Sequence, residues 1–264
     1  MVATGCSLRA MNLAAEFLGT ALLVLLGNGV VGNVILARTK GQVPPSQPGG
    51  FFIITVGWGL AVFVAAYCTA FLGGPAHLNP AVSVAMSAMG MVARDDCVRL
   101  CLAQMTGGML GAFLVWLLYL PHWRLTEDPR TKLAAFCNVP AVRAPASNLL
   151  VEVIAAAVLV FGILCLKEAQ GTMDDGRIIS LDFGAMGALP VGLLVFTIGI
   201  CLGGPTGYAV NPARDLAPRV MHALLPIPGK GSSDWGYAWI PVMGSISGAL
   251  VAVAIFEAMA PVGG

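Results

Sequence analysis

The sequence predicts an all-α membrane protein with six transmembrane helices and two re-entrant half-helices, arranged as an inverted repeat. Three observations lead to this fold class: an apolar composition, six long apolar stretches, and a short motif that occurs twice. The 264 residues are 58% hydrophobic and 10% charged, whereas a soluble domain carries about 25% charged residues. The formal net charge of +1 provides no basic surface for nucleic acid. A lipid bilayer is therefore the predicted environment.

Six stretches approach the roughly 20 mostly apolar residues that a helix needs to cross the hydrocarbon core. The predicted spans cover residues 11–37, 51–73, 98–120, 147–167, 185–203 and 237–259. Polar or proline-rich segments separate the spans. They predict loops at 38–50, 120–147, 167–182 and 227–235.

Two further apolar segments, at about 78–91 and 210–224, are too short to cross a bilayer. Each contains an Asn-Pro-Ala motif, and the two motifs are Asn79-Pro80-Ala81 and Asn211-Pro212-Ala213. Asparagine is a favourable N-cap, and proline suits the first turn of a helix. Each motif therefore predicts a short helix that begins abruptly and re-enters the membrane without crossing it.

Both halves of the chain have the same order of elements, which is span, span, half-helix, span. The repeats are predicted at about 8–120 and 147–260, joined by the loop 121–146, within a single channel domain over 1–264. Because each repeat has an odd number of spans, the second repeat must be inserted upside down relative to the first. The two half-helices then enter from opposite faces and meet at their N-termini near the midplane.

Two facing helix N-termini predict a pore whose centre excludes cations, since each carries about half a positive charge. The side chains of Asn79 and Asn211 can each donate an amide N–H to a passing oxygen, which orients the solute and interrupts a proton wire. The backbone before each half-helix is rich in glycine and proline and is therefore not helical. Such backbone is tolerated at membrane depth only where protein or a water-filled cavity satisfies its N–H and C=O groups. The carbonyls predicted to line the pore belong to Pro75, Ala76, His77, Pro205, Thr206 and Gly207.

Four polar side chains near the predicted pore each leave two interpretations open. Glu16 and Glu152 occupy corresponding places in the two repeats, and each is either a proton-coupling site or an acceptor that anchors loop N–H groups. Arg214 either donates to solute oxygens or pairs with Asp215, an acid that is favourable in the first turn of a helix. His77 is a pH switch or ligand, or else a hydrogen-bonded wall residue. We expect anchoring by both glutamates, a pore role for Arg214 and a wall role for His77.

These motifs and their surroundings resemble the aquaporin superfamily of major intrinsic proteins over the whole chain. The first family signature is similar to Ala76-His77-Leu78-Asn79-Pro80-Ala81, and the second to Gly207-Tyr208-Ala209-Val210-Asn211-Pro212-Ala213-Arg214-Asp215. An aspartate after the arginine is typical of the aquaglyceroporin branch. Within that branch, the chain looks most like the bacterial glycerol uptake facilitators.

The resemblance implies a passive channel for glycerol, other small uncharged solutes and water, which excludes protons and ions. It implies a selectivity filter in which Trp58 and Tyr208 form an apolar corner, Gly199 leaves space and Arg214 holds hydroxyls. It further implies a homotetramer in the lipid of the plasma or inner membrane, with both termini cytoplasmic. We expect no enzymatic activity, no cofactor and no metal ion.

Two other functions stay open on the sequence. The first is a facilitator mainly for lactic acid, dihydroxyacetone or another small neutral solute. The second is a proton-coupled secondary transporter that uses Glu16 or Glu152. In addition, the chain departs from the family at Gly73-Gly74-Pro75, where the family usually has Ser-Gly before Ala-His. Since proline has no backbone N–H, this departure predicts a shifted carbonyl ladder near Pro75.

Overall fold

The structure is a computed structural model that describes residues 12–44, 47–166, 170–173, 178–180 and 183–259. Its helices are α1 (Leu13–Ile35), α2 (Gly50–Phe71), α3 (Pro80–Ala88), α4 (Arg94–Leu118), α5 (Leu120–Leu125), α6 (Pro129–Ala134), α7 (Pro145–Cys165), α8 (Leu189–Leu202), α9 (Pro212–Leu224) and α10 (Trp235–Met259). The predicted start of the first repeat at residue 8, that of the first span at residue 11 and the predicted end of the second repeat at residue 260 lie outside the described residues.

Six helices are long and apolar enough to cross a membrane, as predicted. They are α1, α2, α4, α7, α10 and a segment that joins a 3₁₀ turn at Gly184–Ala188 to α8. The predicted all-α fold class is confirmed. Within the described residues the β structure is one antiparallel ribbon of Gln170–Thr172 and Ile178–Ser180, inside the segment predicted as the loop 167–182.

The chain between the third and fourth spans is more ordered than predicted, because the loop expected at 120–147 contains α5 and α6. Asp128 begins α6 by accepting hydrogen bonds from the backbone N–H of Arg130 at 3.1 Å and of Thr131 at 3.0 Å. The hydrogen bond from the Thr131 hydroxyl holds the pKa of the Asp128 carboxyl below its usual range. Asp128-Pro129 is a start signal that was visible in the sequence.

The third span begins at Arg94 and not at the predicted residue 98. Asp95 and Asp96 lie in the first turn of α4. A span predicted from apolar residues alone leaves out these two acids, because they are charged. Negative charge is nevertheless favourable at a helix N-terminus. The prediction therefore placed this start one turn late.

Both half-helices begin where the motifs predicted, with Asn79 as the N-cap of α3 and Asn211 as the N-cap of α9. The end of α3 is followed by Gly90, whose φ of 73° suits glycine. The C-terminal carbonyls of α9 are capped instead by Lys230. Its Nζ donates to the carbonyls of His222, Ala223 and Leu225 at 2.8, 2.6 and 2.7 Å.

Small residues let the spans of each half pack closely. A Cβ on Gly111 of α4 would lie 2.4 Å from the carbonyl oxygen of Ala21 in α1, and a Cβ on Gly248 of α10 would lie 2.2 Å from that of Val153 in α7. Helix backbones can approach this closely only where a residue has no side chain. The α1–α4 pair of one half thus has its counterpart in the α7–α10 pair of the other.

Candidate solute pathway

The two Asn-Pro-Ala motifs are joined by a reciprocal pair of hydrogen bonds. Nδ2 of Asn79 donates to the carbonyl of Val210 at 2.8 Å, and Nδ2 of Asn211 donates to the carbonyl of Leu78 at 2.8 Å. Each asparagine also caps its helix through Oδ1, which accepts from the second residue after it at 2.9 Å. An amide nitrogen carries two N–H groups, so each side chain keeps one for the cavity that both asparagines line.

Glu16 connects α1 to the loop that leads into α3. Its carboxylate is fully buried, and it accepts hydrogen bonds from the backbone N–H of His77 at 2.7 Å and of Leu78 at 2.9 Å. Nε2 of Gln104 in α4 donates a third bond at 3.0 Å. Both carboxylate oxygens are therefore occupied by N–H donors.

Glu152 of α7 holds the loop before α9 in the same way. It is fully buried and accepts from the backbone N–H of Ala209 and of Val210, both at 3.1 Å. The residues bonded are the two that precede the asparagine, as with Glu16. The geometry of both glutamates is that of a loop anchor, since a proton-coupling acid would need access to water.

The anchored loops contain strained backbone at equivalent positions. Ala76, Leu78, Tyr208 and Val210 have φ values of 57°, 55°, 42° and 45°, in the left-handed region that non-glycine residues avoid. Each such residue costs on the order of 1–3 kcal/mol, and surrounding contacts must hold it in place. The hydrogen bonds to Glu16 and Glu152 provide those contacts.

One cavity of about 960 Å³ runs along both loops. It contacts Pro75, Ala76 and His77 of the first loop, the residues whose carbonyls are predicted to line the pore. Its apolar side is formed by spans of both halves. Those side chains include Leu23, Val62, Ala66, Leu159, Ile163, Val191 and Val195.

The structure does not bring the second predicted carbonyl set to the cavity. The carbonyl of Pro205 accepts from the N–H of Ala141 at 3.0 Å, and that of Thr206 accepts from Nδ2 of Asn138 at 2.9 Å. The second loop meets the cavity through Tyr208, Ala209 and Val210 instead. By the register of the glutamate anchors, residues 207–209 are the equivalents of 75–77. The predicted set thus began two residues too early, and only Gly207 falls within both.

The predicted shift of the ladder at Pro75 does not extend to the motif. His77 and Leu78 bond to Glu16 as Ala209 and Val210 bond to Glu152. Gly73, at the start of the segment that departs from the family, has a φ of 79°. His77 itself lines the cavity, with Nδ1 at 3.1 Å from the Ser83 hydroxyl.

Three of the four predicted filter residues, Trp58, Tyr208 and Arg214, line the cavity, and Gly199 lies against Tyr208. The guanidinium carbon of Arg214 lies 4.5 Å from the centre of the Trp58 ring, and Tyr208 lines the cavity beside them. Gly199 acts through Tyr208, because a Cβ at this position would lie 2.7 Å from Cζ of the tyrosine and 2.8 Å from its Oη. The missing side chain leaves room for the tyrosine ring.

Two hydrogen-bond donors of the predicted filter residues have no partner within the described part of the chain. Nε1 of Trp58 and Oη of Tyr208 are buried without a hydrogen-bond partner among the described residues. A buried polar atom without a partner is unfavourable by about 1–3 kcal/mol. These two donors are enclosed by protein, whereas Arg214 lines the cavity and its guanidinium can donate to a solute oxygen there.

Arg214 is not paired with its neighbour Asp215. Asp215 instead forms a fully buried ion pair with Arg219, with Nη2 at 2.9 Å and Nε at 3.1 Å from Oδ1. Its Oδ2 accepts from the N–H of Asn138 at 2.6 Å. Within the part of the chain that the structure describes, the Arg214 guanidinium forms no ion pair, so it is available to solutes.

The contacts of Arg219 and Asn138 with Asp215 were not predicted from the sequence. The i,i+4 spacing of Asp215 and Arg219 was a visible signal for their pairing. Asn138 had no such signal, because it lies in the loop between the repeats and bonds both to Asp215 and to the carbonyl of Thr206.

Residues 5–256 match the major intrinsic protein family. The chain is 46% identical over 243 residues to the probable glycerol uptake facilitator protein of Thermotoga maritima, with 92% of this chain and 97% of that protein covered. It is 37% identical over 247 residues to the D/L-lactic acid transporter of Lactiplantibacillus plantarum, with 91% and 94% covered. The X-ray structure of the aquaglyceroporin from Plasmodium falciparum aligns with a TM-score of 0.76 at 26% identity, with 94% and 95% covered.

Six apolar helices around two half-helices that meet at their N-termini beside one cavity define a multi-pass membrane channel. The family match covers nearly the whole chain, and the relatives are similar over nearly their full lengths. The chain belongs to the major intrinsic protein family, on its aquaglyceroporin branch. It is therefore a transport protein and not an enzyme.

Proposed function

We propose that this protein is a passive channel for glycerol and similar small uncharged solutes. The observation that carries the proposal is the group of residues at the cavity, where the guanidinium carbon of Arg214 lies 4.5 Å from the centre of the Trp58 ring and Gly199 leaves room for Tyr208. A polyol can place its oxygens on the Arg214 guanidinium and its C–H groups against the apolar side chains that line the cavity. The similarity to a glycerol uptake facilitator protein supports this choice of solute.

Exclusion of protons and cations follows from the same geometry. Two helix N-termini and Arg214 give the pore a positive potential. The free amide N–H groups of Asn79 and Asn211 donate to a passing water, which breaks a chain of water-to-water hydrogen bonds. Water conduction with proton exclusion is accordingly part of the proposal.

Undissociated lactic acid is a second candidate solute, favoured by the similarity to a lactic acid transporter. Its carboxyl and hydroxyl oxygens suit the Arg214 guanidinium, which lines the cavity. A proton-coupled mechanism has less support, because both glutamates are fully buried with backbone N–H groups on their oxygens.

We also propose the molecular setting that the sequence predicts. The protein is one channel domain of two inverted repeats, assembled as a homotetramer with one pore per subunit. It lies in the plasma or inner membrane with both termini in the cytoplasm. The reciprocal hydrogen bonds between the two motifs support the repeat.

Stopped-flow light scattering on proteoliposomes tests the proposal. Glycerol entry should be faster than in protein-free liposomes and should be the same with or without an imposed proton gradient. A parallel panel with water, dihydroxyacetone, urea, and lactic acid at acidic pH ranks the solutes. Glycerol flux no faster than in empty liposomes, or flux that requires the proton gradient, would contradict the proposal.

A further inference from the structure

Gly27 of α1 lies directly behind the filter tryptophan. A Cβ at Gly27 would lie 2.3 Å from Cζ3 of Trp58 and 2.4 Å from Cε3 and Cη2. No Cβ tolerates contacts below about 3 Å, so one of the two residues would have to move. The ring of Trp58 therefore packs directly against the backbone of α1.

We propose that Gly27 is a positioning residue for solute selectivity, because it sets how far the Trp58 ring projects into the constriction. This inference rests on the proposed glycerol function and adds a residue behind the pore wall. Gly27 is buried, and the three atoms nearest to its missing side chain all belong to the Trp58 ring.

The direction of the effect follows from what surrounds the ring. Trp58 is 3% exposed, packs against Gly27 of α1, lies 4.5 Å from the guanidinium carbon of Arg214 and lines the cavity. A methyl group on Gly27 pushes the ring away from α1, and the open space that the ring borders is the cavity. The opening narrows, so glycerol is slowed more than water.

Gly27→Ala is the test variant, and α1 supplies two matched controls. A Cβ at Gly29 has no atom of the described residues within 4 Å, so Gly29→Ala changes helix composition alone. A Cβ at Gly32 would lie 2.8 Å from Cε2 of Tyr119, a ring that packs against Trp123 away from the filter. Gly32→Ala therefore introduces a similar clash elsewhere.

The ratio of glycerol to water permeability in proteoliposomes is the readout, since misfolding lowers both rates together. We expect Gly27→Ala to reduce this ratio by about tenfold or more, as overpacking at a constriction raises the barrier for the larger solute. Gly29→Ala and Gly32→Ala should keep the wild-type ratio. An unchanged ratio in Gly27→Ala would overturn the inference.

A double-mutant cycle with Trp58→Phe shows whether the effect passes through the ring. Phenylalanine lacks the part of the indole that faces Gly27, so Gly27→Ala with Trp58→Phe should have the same ratio as Trp58→Phe alone. If Gly27→Ala fails to assemble, recovery of assembly in the double variant supports the inference, and failure of the double variant as well overturns it. Wild-type glycerol flux tests the proposed function separately in the same experiment.

Discussion

At the scale of single residues, Asp215 forms its ion pair with Arg219 and not with Arg214, its neighbour in the chain. Its carboxylate contacts Arg219 and the N–H of Asn138, and Arg214 lines the cavity outside this ion pair. An ion pair between Arg214 and Asp215 would have reduced the positive charge at the constriction. The Asp215–Arg219 pair thus fixes the loop at Asn138 and keeps Arg214 available.

Asp215→Asn should destabilise the protein strongly. The change leaves the guanidinium of Arg219 buried without a counter-charge, and breaking a buried pair in this way typically costs about 3–5 kcal/mol. We expect a large fall in the thermal unfolding temperature of the detergent-solubilised protein. Asp96→Asn removes the exposed pair with Arg99 and should change the unfolding temperature little. Equal effects of the two variants would refute this role for Asp215.

The filter assignment predicts the outcome of combining Trp58→Phe with Gly199→His. A side chain at position 199 displaces Tyr208, because even a Cβ would lie 2.7 Å from its ring, and the smaller ring at 58 weakens the apolar corner. Glycerol permeability should fall by about tenfold or more while water permeability is kept, a difference of roughly 1.4 kcal/mol in barrier height. Stopped-flow measurements with both solutes check this, and undiminished glycerol flux would exclude the assignment.

Residue-scale prediction from the sequence succeeded where local chemistry determines the outcome. An Asn-Pro pair specifies an N-cap and a first turn, and both caps are present. Prediction from the sequence was incomplete where the role of a residue depends on a contact with a residue far away in the chain. Gly27 contacts Trp58 and Asn138 contacts Asp215 only after the chain has folded, and neither contact has a signature in its own segment.

At the scale of elements, the two spans α1 and α7 each hold a strained loop through one carboxylate. Glutamate suits this position because it has two acceptor oxygens for two adjacent N–H groups. The anchor is needed because of the strain: four left-handed residues raise the free energy of the folded loops, and other contacts must outweigh that increase. The loops therefore owe their shape to helices that are distant in the chain.

Glu152→Gln should test the anchor with almost no change of shape. A glutamine has one acceptor oxygen, so its NH₂ group would face either the N–H of Ala209 or that of Val210. One buried donor loses its partner, which costs about 1–3 kcal/mol. Both the unfolding temperature and the glycerol flux of the variant should therefore be lower than in the wild type. Glu127→Gln, at an exposed position, is the control. Wild-type stability in Glu152→Gln would argue against anchoring.

Element boundaries were predicted well for the apolar spans and poorly outside them. Hydropathy identified every span because each must match the thickness of the bilayer. It placed the start of α4 one turn late, since acids at a helix N-terminus are favourable but polar. It also missed α5 and α6, which are too short for a hydropathy window to detect.

At the scale of the whole molecule, the two halves meet through reciprocal contacts. The exchange of hydrogen bonds between the two Asn-Pro-Ala motifs is one. The crossing of α2 and α8 is another: a Cβ on Gly59 would lie 2.8 Å from the carbonyl oxygen of Gly192, and a Cβ on Gly192 would lie 2.7 Å from that of Gly59. Reciprocity of this kind is expected where equivalent residues of an inverted repeat face each other across its axis.

This contact predicts that Gly59→Ala and Gly192→Ala are equivalent substitutions. Either methyl group forces α2 away from α8, and each should cost about 1–3 kcal/mol as an overpacked interface. Since one separation accommodates both methyl groups, the double variant should be less destabilised than the sum of the two. Thermal unfolding of the four proteins measures the coupling, with Gly29→Ala as the control on an open helix face. Strictly additive effects would show that the two glycines do not share one contact, and the halves would then be held together mainly by the half-helices.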